Sequence, residues 1–310
     1  MATGVPQARA RLGVRRLKQA QQENAAGYLF ISPWLVGFFV FTAGPMAISL
    51  GLSLLKTDLL RPSTFVGLDN FVALVDDELF WKSLRNTAYY SLFSVALGML
   101  ASLALAFVMN VRLSGIRLFR TIYYLPAVLP SAPVAILWRQ IFNPERGLAN
   151  YLLDLLNLPP QKWIYSERLA LPCLIAMSLW GIGSSLMIYL AGLQGIPTDL
   201  YEAAQIDGAG WWPKLRRVTL PMLSPTIFFN LIMSIIGSFM VFTASYVMTQ
   251  GGPNNATLTY VLYLYNSAFR YFKFGYASAL AWVLFFVVLG LTALVFRSSP
   301  MWVYYESELR

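Results

Sequence analysis

Six stretches of this 310-residue chain run for 18 residues or more without a single Asp, Glu, Lys or Arg. About 20 apolar residues in a helix cross the hydrocarbon core of a bilayer. Within lipid each backbone N–H and C=O must be paired inside the protein, and runs this long are unlike barrel strands. The pattern predicts an all-α polytopic membrane protein with six transmembrane helices. The stretches are Tyr28–Leu55, Asn86–Met109, Thr121–Trp138, Leu171–Ile196, Met222–Met248 and Tyr276–Phe296.

The composition agrees with lipid as the main solvent. The chain is 57% hydrophobic and 12% charged, whereas a soluble domain is about 45–50% apolar and about 25% charged. It has no histidine and one cysteine, Cys173, so the commonest general base, the commonest metal ligand and any intrachain disulfide are missing. We therefore expect no catalytic residue, no metal and no cofactor on this chain, and a buried, inert Cys173.

The third stretch differs from the others because it contains three prolines, Pro126, Pro130 and Pro133. Proline removes a helix hydrogen bond and clashes with the preceding turn. We therefore expect kinks, or a broken start, in this helix.

The basic residues suggest an orientation. With both termini cytoplasmic, the inside segments hold 13 Lys and Arg and the outside segments hold 10. Five of the inside charges precede the first span, which usually dominates topology. We predict a basic cytoplasmic, lipid-facing tail (1–27), a six-helix domain (28–296) and a short cytoplasmic tail (297–310). A cleaved secretory signal is less consistent with so long an apolar run, and no aromatic or glycine interleaving suggests nucleic-acid binding.

The polar segment between the fourth and fifth stretches, residues 197–221, carries helix signals. Thr198 is a suitable N-cap, and Asp199 lies where the helix dipole favours an anion. The helix is expected to run to about Ile206, where Asp207 and Gly208 would end it with a left-handed turn.

A second short helix is predicted after that turn. Pro213 suits a first helical position, and Leu220-Pro221 is expected to break the chain before the fifth span. The result would be a cytoplasmic helix-turn-helix. By its residues alone it is either a docking surface for another protein or an interfacial loop anchored by Trp211 and Trp212.

Glu202-Ala203-Ala204, followed by Gly208 and Leu220-Pro221, resembles the EAA loop of binding-protein-dependent ABC importer permeases. The string Tyr201–Ala209 is similar to the carbohydrate-uptake branch of that family. Further matching segments are Phe65–Phe71 with Phe80-Trp81 and Asn86-Thr87, Phe119–Pro126 with Ile141–Pro144 and Gly147-Leu148, and Thr249–Pro253 with Ala268-Phe269.

The resemblance implies a sugar or polyol permease of a prokaryotic inner membrane, similar to the first of two paired permeases (maltose or glycerol-3-phosphate type) but with a short first external loop. It implies four kinds of contact: a homologous second permease, two ATPase subunits that carry ATP and Mg, an extracytoplasmic solute-binding protein, and lipid. The residues it implies for ATPase coupling are Glu202, Ala203, Ala204, Asp207 and Gly208.

Polar side chains within the spans are candidates for a substrate passage, since polar groups are costly in lipid unless they face protein or water. In the fifth span three of them recur at every fourth position, and a tyrosine follows eight residues later. Helix packing is the competing explanation. The candidates are Trp180, Ser184, Asn230, Ser234, Ser238 and Tyr246.

Two other classes of function are less consistent with the sequence. A secondary transporter normally needs an ionisable group within the membrane, and the six stretches have none. A membrane enzyme would need clustered Asp or His, and the one acidic cluster, Asp76-Asp77-Glu78, is expected to be a solvated face or a contact for the binding protein. The chain also lacks a phosphate-binding Gly-x-x-x-x-Gly-Lys-Ser/Thr motif, so ATP chemistry is assigned to partner chains.

Overall fold

A computed structural model describes residues 23–24, 26–58, 62–111 and 113–304. Residues 1–22 and 25 of the predicted N-terminal tail and residues 305–310 of the predicted C-terminal tail therefore lie outside the described residues. The first part of the chain forms one long helix, a small antiparallel ladder, a short helix and a second long helix. These elements are α1 (Ala26–Ser53), β1 (Leu55–Lys56), β2 (Thr64–Phe65), α2 (Asp69–Val75) and α3 (Glu78–Met109).

The middle of the chain consists of shorter helices, two pairs of which are sharply bent. They are α4 (Ile116–Val128), α5 (Ser131–Ile141), α6 (Leu148–Leu155), α7 (Ala170–Trp180) and α8 (Gly183–Gln194). The axes of α4 and α5 differ by 99° and those of α7 and α8 by 46°. The expected disruption at the prolines is present, and it is a near right angle rather than a kink: the chain is extended at Leu129 and Pro130, where proline disfavours the helical conformation of the preceding residue.

The last part contains α9 (Thr198–Ile206), α10 (Trp211–Phe239), α11 (Tyr260–Tyr265) and α12 (Phe274–Ser298). By length and composition, α1, α3, α10 and α12 can each cross a membrane. Within the described residues the number of candidate spans rises from four to six if each bent pair is one span. The chain is thus a mostly helical, multi-pass membrane protein.

The predicted break at Leu220-Pro221 is wrong, because α10 continues through it. Residues Leu215–Thr219 form a π-helical turn, in which the N–H of Leu220 bonds to the carbonyl of Leu215. This wider turn directly precedes Pro221 and tolerates the missing N–H and the bulk of the ring. The helix also starts earlier than predicted, at Trp211 rather than Pro213.

The predicted fifth span is too long at its other end. The helix stops at Phe239, and residues 240–242 interrupt it before a separate π-helical turn, Ser245–Thr249. The carbonyl of Val241 accepts a hydrogen bond from the Thr259 hydroxyl at 3.1 Å instead of continuing the helix. Tyr246 therefore does not extend the stripe of Asn230, Ser234 and Ser238.

Helix α3 lies at the centre of the fold and packs against α7, α8, α10 and α11. Its buried side chains include the small residues Ser83, Thr87, Ser102 and Ala106. Small residues let helix backbones approach closely in membranes, where lipid removes the hydrophobic drive for association. Ser83 and Ser102 donate to carbonyls of their own helix, so these hydroxyls serve packing.

Two features of the helix packing bear on function. Gly183, at the start of α8, lies against the backbone of α4: a Cβ there would meet the Tyr123 carbonyl oxygen at 2.5 Å and the Tyr124 Cα at 2.8 Å. The Gly181–Gly183 segment is thus both a bend and a close helix crossing. Helix α1, in contrast, has none of its most apolar 18 residues buried, and its second half packs against α12.

Candidate functional site

The predicted loop folds into a rigid unit that we call the elbow, residues 198–214. Helix α9 ends in a Schellman motif: the N–H of Gly208 bonds to the carbonyl of Gln205 (3.0 Å), and that of Ala209 to the carbonyl of Ala204 (2.8 Å). Gly208 has φ +75°, a conformation that glycine adopts without strain. The turn was correctly predicted from its glycine, although Pro197 rather than Thr198 occupies the N-cap position.

The elbow is fixed to the base of α10. The Tyr201 hydroxyl lies 3.0 Å from the Thr219 hydroxyl, and Tyr201 packs against the buried cluster that includes Tyr189 and Leu223. The Lys214 Nζ donates to the Gln205 Oε1 at 3.4 Å across the turn. These contacts join α9 directly to α10.

The outer surface of the elbow is open to a partner. Glu202, Ala203, Asp207 and Gly208 are exposed, and Ala204 is half-buried. The elbow also exposes large apolar side chains: Ile206 is 87% exposed, Trp211 74% and Trp212 60%. A charged residue followed by two alanines, on a segment that also exposes large apolar side chains, suits a protein contact.

The predicted passage residues fall into two groups. Asn230 and Ser238 are buried and donate to carbonyls of their own helix, Thr226 at 3.1 Å and Ile235 at 2.8 Å. Polar side chains that bond to their own helix in this way serve helix packing. Ser234 is half-buried.

The other three passage residues are exposed and lie on different elements. Trp180 ends α7, with its ring 6.1 Å from that of Trp138, and Ser184 lies in the first turn of α8. Tyr246 stacks on Phe242 at 5.2 Å in the separate π turn. In the isolated chain, the Ser184 side chain and the aromatic rings of Trp180 and Tyr246 are thus exposed.

A groove beside Tyr246 was missed at the sequence level. It is formed by Tyr246 and Gln250 together with a face of α11 and the π turn that continues it, Asn266–Arg270. The sequence contains a pattern that indicates such a groove, because side chains four residues apart share a helix face. This spacing holds for Tyr265 and Phe269 and for Asn266 and Arg270. The segment was too short and too polar to be taken for a span.

The acidic cluster is an exposed face only in part. Asp76 and Glu78 are exposed, but the Asp77 carboxylate caps α3 by accepting from the N–H groups of Leu79 (2.8 Å) and Phe80 (3.4 Å). It also accepts hydrogen bonds from the hydroxyls of Tyr263 and Tyr276. Asp77 therefore joins the start of α3 to α11 and α12.

The titration of Asp77 follows from these contacts. Burial alone would raise the pKa of its carboxyl, but the hydrogen bonds from the two tyrosines and two amides outweigh burial and hold the pKa below its usual value. Burial, followed by the hydrogen bond to Asp77, raises the pKa of Tyr263 to about 12, so its hydroxyl remains a donor at neutral pH.

We expect Asp77→Asn to lower stability by about 1–2 kcal/mol at pH 7, because asparagine can still cap the helix but its neutral amide loses the charge-assisted hydrogen bonds that Tyr263 and Tyr276 donate. A depressed carboxyl pKa stabilises the fold above the unfolded pKa, and this contribution is lost as pH falls through the folded pKa. The deficit should therefore shrink below about pH 4, near the unperturbed carboxyl pKa. Thermal unfolding in detergent across pH measures both effects. The exposed neighbour variant Asp76→Asn is the control, and an equal loss in both variants would contradict a specific role for the Asp77 charge.

No group of three or more His, Cys, Asp or Glu in the described part of the chain is arranged to hold a metal ion. The fold and the site together define a class of protein: a multi-pass helical membrane protein with an exposed elbow between two of its candidate spans. The comparisons with known proteins narrow this class.

A family model described as the binding-protein-dependent transport system inner membrane component matches residues 94–299. The chain is 42% identical to the probable ABC transporter permease protein YesP of Bacillus subtilis over 300 residues, covering 95% of this chain and 97% of the relative. It is 35% identical to the arabinooligosaccharides transport system permease protein AraP of the same organism, covering 95% and 94%.

A solved structure of a bacterial alginate ABC transporter, in complex with an alginate pentasaccharide-bound periplasmic protein, contains a similar chain. The TM-score is 0.80 at 26% identity, and the match covers 92% of this chain and 97% of that one.

The chain belongs to the family of binding-protein-dependent transport system inner membrane components. It is an ABC-transporter permease and not an enzyme, since ATP hydrolysis lies on separate subunits. The resemblance drawn from the Glu202-Ala203-Ala204 loop and its companion motifs is confirmed.

Proposed function

We propose that this chain is one of two permease subunits of an ATP-driven importer that carries a sugar or related polyol across the inner membrane by alternating access. The relatives support the cargo class, since AraP belongs to an arabinooligosaccharide system and the structural neighbour to an alginate system. The partners are a homologous second permease, two ATPase subunits that bind ATP and Mg, and a solute-binding protein. A sodium-coupled carrier, the alternative, gains no support from the family.

The elbow is the observation that carries this proposal. ATP-driven closure of the ATPase subunits would move α9, and the hydrogen bond between Tyr201 and Thr219 would transmit that movement into α10. Glu202, Ala203, Ala204, Asp207 and Gly208 are the proposed motor contacts. Four of the five are exposed, as a docking surface requires.

Six spans and two cytoplasmic termini are the arrangement that we favour. Each bent pair then counts as one span, and the elbow lies on the side of the ATPases. The excess of Lys and Arg at the N-terminus supports this orientation.

The exposed first half of α1 supports a second membrane subunit. Tyr28, Phe30 and Trp34 are each more than 60% exposed. A partner permease would bury these side chains against its own helices.

Cysteine labelling tests the passage. Cys173 is buried, so the wild-type background should be silent. We expect Ser184→Cys to react with a charged, water-soluble thiosulfonate, because Ser184 is exposed and would line an aqueous cavity. Asn230→Cys should be protected by burial, and Phe286→Cys, exposed on α12, should be protected by lipid.

The same reagents test the topology. In inside-out vesicles we expect labelling of Gln205→Cys, and in right-side-out vesicles labelling of Asn255→Cys. A Ser184→Cys variant as unreactive as Phe286→Cys would show that this surface meets lipid or protein, and the passage assignment would fail.

A further inference from the structure

The groove beside Tyr246 has the chemistry of a binding site. It encloses about 260 Å³, has Leu262 at its base and carries three kinds of functional group: aromatic rings, primary amides and one guanidinium. The rings of Tyr246 and Tyr265 meet edge to face at 5.5 Å, and those of Tyr265 and Phe269 lie 5.2 Å apart. The ring wall is therefore continuous along the groove.

The polar groups of the groove are available to a ligand. Within the described residues the side-chain amides of Gln250 and Asn266 make no hydrogen bond, and the exposed Arg270 makes no ion pair. No carboxylate lines the groove. The electrostatic potential in the groove is therefore set by one unpaired cation, Arg270.

The groove lies at the end of the fold far from the elbow. Helix α10 has 29 residues between them, a length of about 43 Å at 1.5 Å per residue. Tyr246 belongs both to this groove and to the proposed passage, and the proposed motor contacts lie at the other end of α10.

We propose that the groove is an entry subsite for one ring of an acidic saccharide, with Arg270 binding the sugar carboxylate. This inference rests on the proposed function. The aromatic wall offers a large apolar surface to the ring, the two amides offer donors and acceptors to its hydroxyls, and the guanidinium can bind a carboxylate through two parallel hydrogen bonds. The volume is below the ~300–1,000 Å³ of typical small-molecule pockets, which suits a single unit of a longer chain.

An acidic side chain of the binding protein is the other anion that could reach Arg270. The lining favours the saccharide, because a concave wall of three rings with two free amides matches a polyhydroxylated ring. A surface ion pair with a protein would need only the arginine.

The test is binding to the assembled permease–ATPase complex in lipid nanodiscs, without the binding protein, using isothermal titration calorimetry. The probes are trigalacturonate and its fully methyl-esterified form, which has the same shape but no charge. We expect the acid to bind about fivefold more tightly, the ratio that corresponds to about 1 kcal/mol for an exposed ion pair. Arg270→Gln should remove the preference, and Arg270→Lys should retain part of it.

Arg168→Gln is the matched control, since Arg168 is an exposed arginine that lines a different cleft beside Lys82 and Arg85. Its preference for the acid should equal that of the wild type. Equal binding of acid and ester, no binding of either, or an unchanged preference in Arg270→Gln would overturn the subsite. The subsite would also be overturned if Arg270→Gln lowered only the affinity of the complex for the binding protein.

ATP-dependent uptake by the same complexes, reconstituted in proteoliposomes with the binding protein, separates this inference from the proposed function. A complex that transports normally but does not discriminate between the probes contradicts the subsite alone. A complex whose elbow variants all transport normally contradicts the proposed coupling.

Discussion

Glu202→Gln is expected to reduce ATP-driven uptake by at least tenfold while the chain still inserts into the membrane. The Glu202 carboxylate is exposed and has no partner within the described residues, so its removal should leave the permease fold intact. On docking, a charge pair that loses one member typically weakens a contact by about 2–5 kcal/mol. Uptake and ATP hydrolysis in proteoliposomes measure the coupling.

The control for Glu202 is Asp199→Asn, which removes the other acidic side chain of α9, in its first turn. It should keep near-normal transport. If the Glu202→Gln and Asp199→Asn variants transport at the same rate, the charge of Glu202 has no specific role in transport. The assignment of Glu202 as a coupling residue then fails.

Gly208 allows a second test of the same contact. The space around it is open, with no atom within 4 Å of the point that a Cβ would occupy, yet its φ is +75°. Alanine there would be strained by roughly 1–2 kcal/mol, whereas asparagine tolerates the left-handed conformation better. We expect Gly208→Ala to impair assembly with the ATPases more than Gly208→Asn. Equal, normal assembly of both variants would contradict a requirement for this turn.

The second large effect is expected at Gly183, where α8 crosses α4. A methyl group on Gly183 would lie 2.5 Å from the Tyr123 carbonyl oxygen and 2.8 Å from the Tyr124 Cα, and backbone atoms cannot rotate away. Overpacking of this kind typically costs about 1–3 kcal/mol. Gly183→Ala should therefore unfold at a clearly lower temperature than wild type and yield less assembled complex.

Gly181→Ala is the matched control, two residues away in the same bend. The nearest atom to its Cβ would be the Ser178 carbonyl oxygen at 3.6 Å, an ordinary contact. Its unfolding temperature should stay close to that of wild type. A similar loss in both variants would mean that the bend, and not the helix crossing, needs glycine.

Local signals in the sequence predicted local structure well. Gly208 correctly placed the end of α9, and the prolines of the third stretch correctly placed its disruption. The angle of 99° between α4 and α5 was not predictable, because it depends on how both helices pack against distant parts of the chain. The predicted break at Leu220-Pro221 was wrong for a related reason. The π turn that accommodates the proline is a property of the folded helix.

The candidate site was predicted unevenly. The elbow residues form one contiguous segment, so a motif could identify them. The groove combines Tyr246 and Gln250 with residues 262–270, and their proximity depends on the interruption after Phe239. Asn230 and Ser238 fitted a polar stripe, but helical spacing does not reveal whether a hydroxyl or amide bonds to its own helix, as both do here.

The uninterrupted course of α10 from the elbow to Phe239 has a consequence for sequence length. Each residue added to an α-helix turns everything beyond it by about 100° and advances it by 1.5 Å. A one-residue insertion between Gly210 and Leu220 would thus point the far half of α10 at the wrong neighbours, unless the turn at Leu215–Thr219 absorbed it as π-helices do. Substitutions along this helix should therefore be tolerated far more readily than insertions or deletions, because only the latter change the number of residues between the elbow and Phe239.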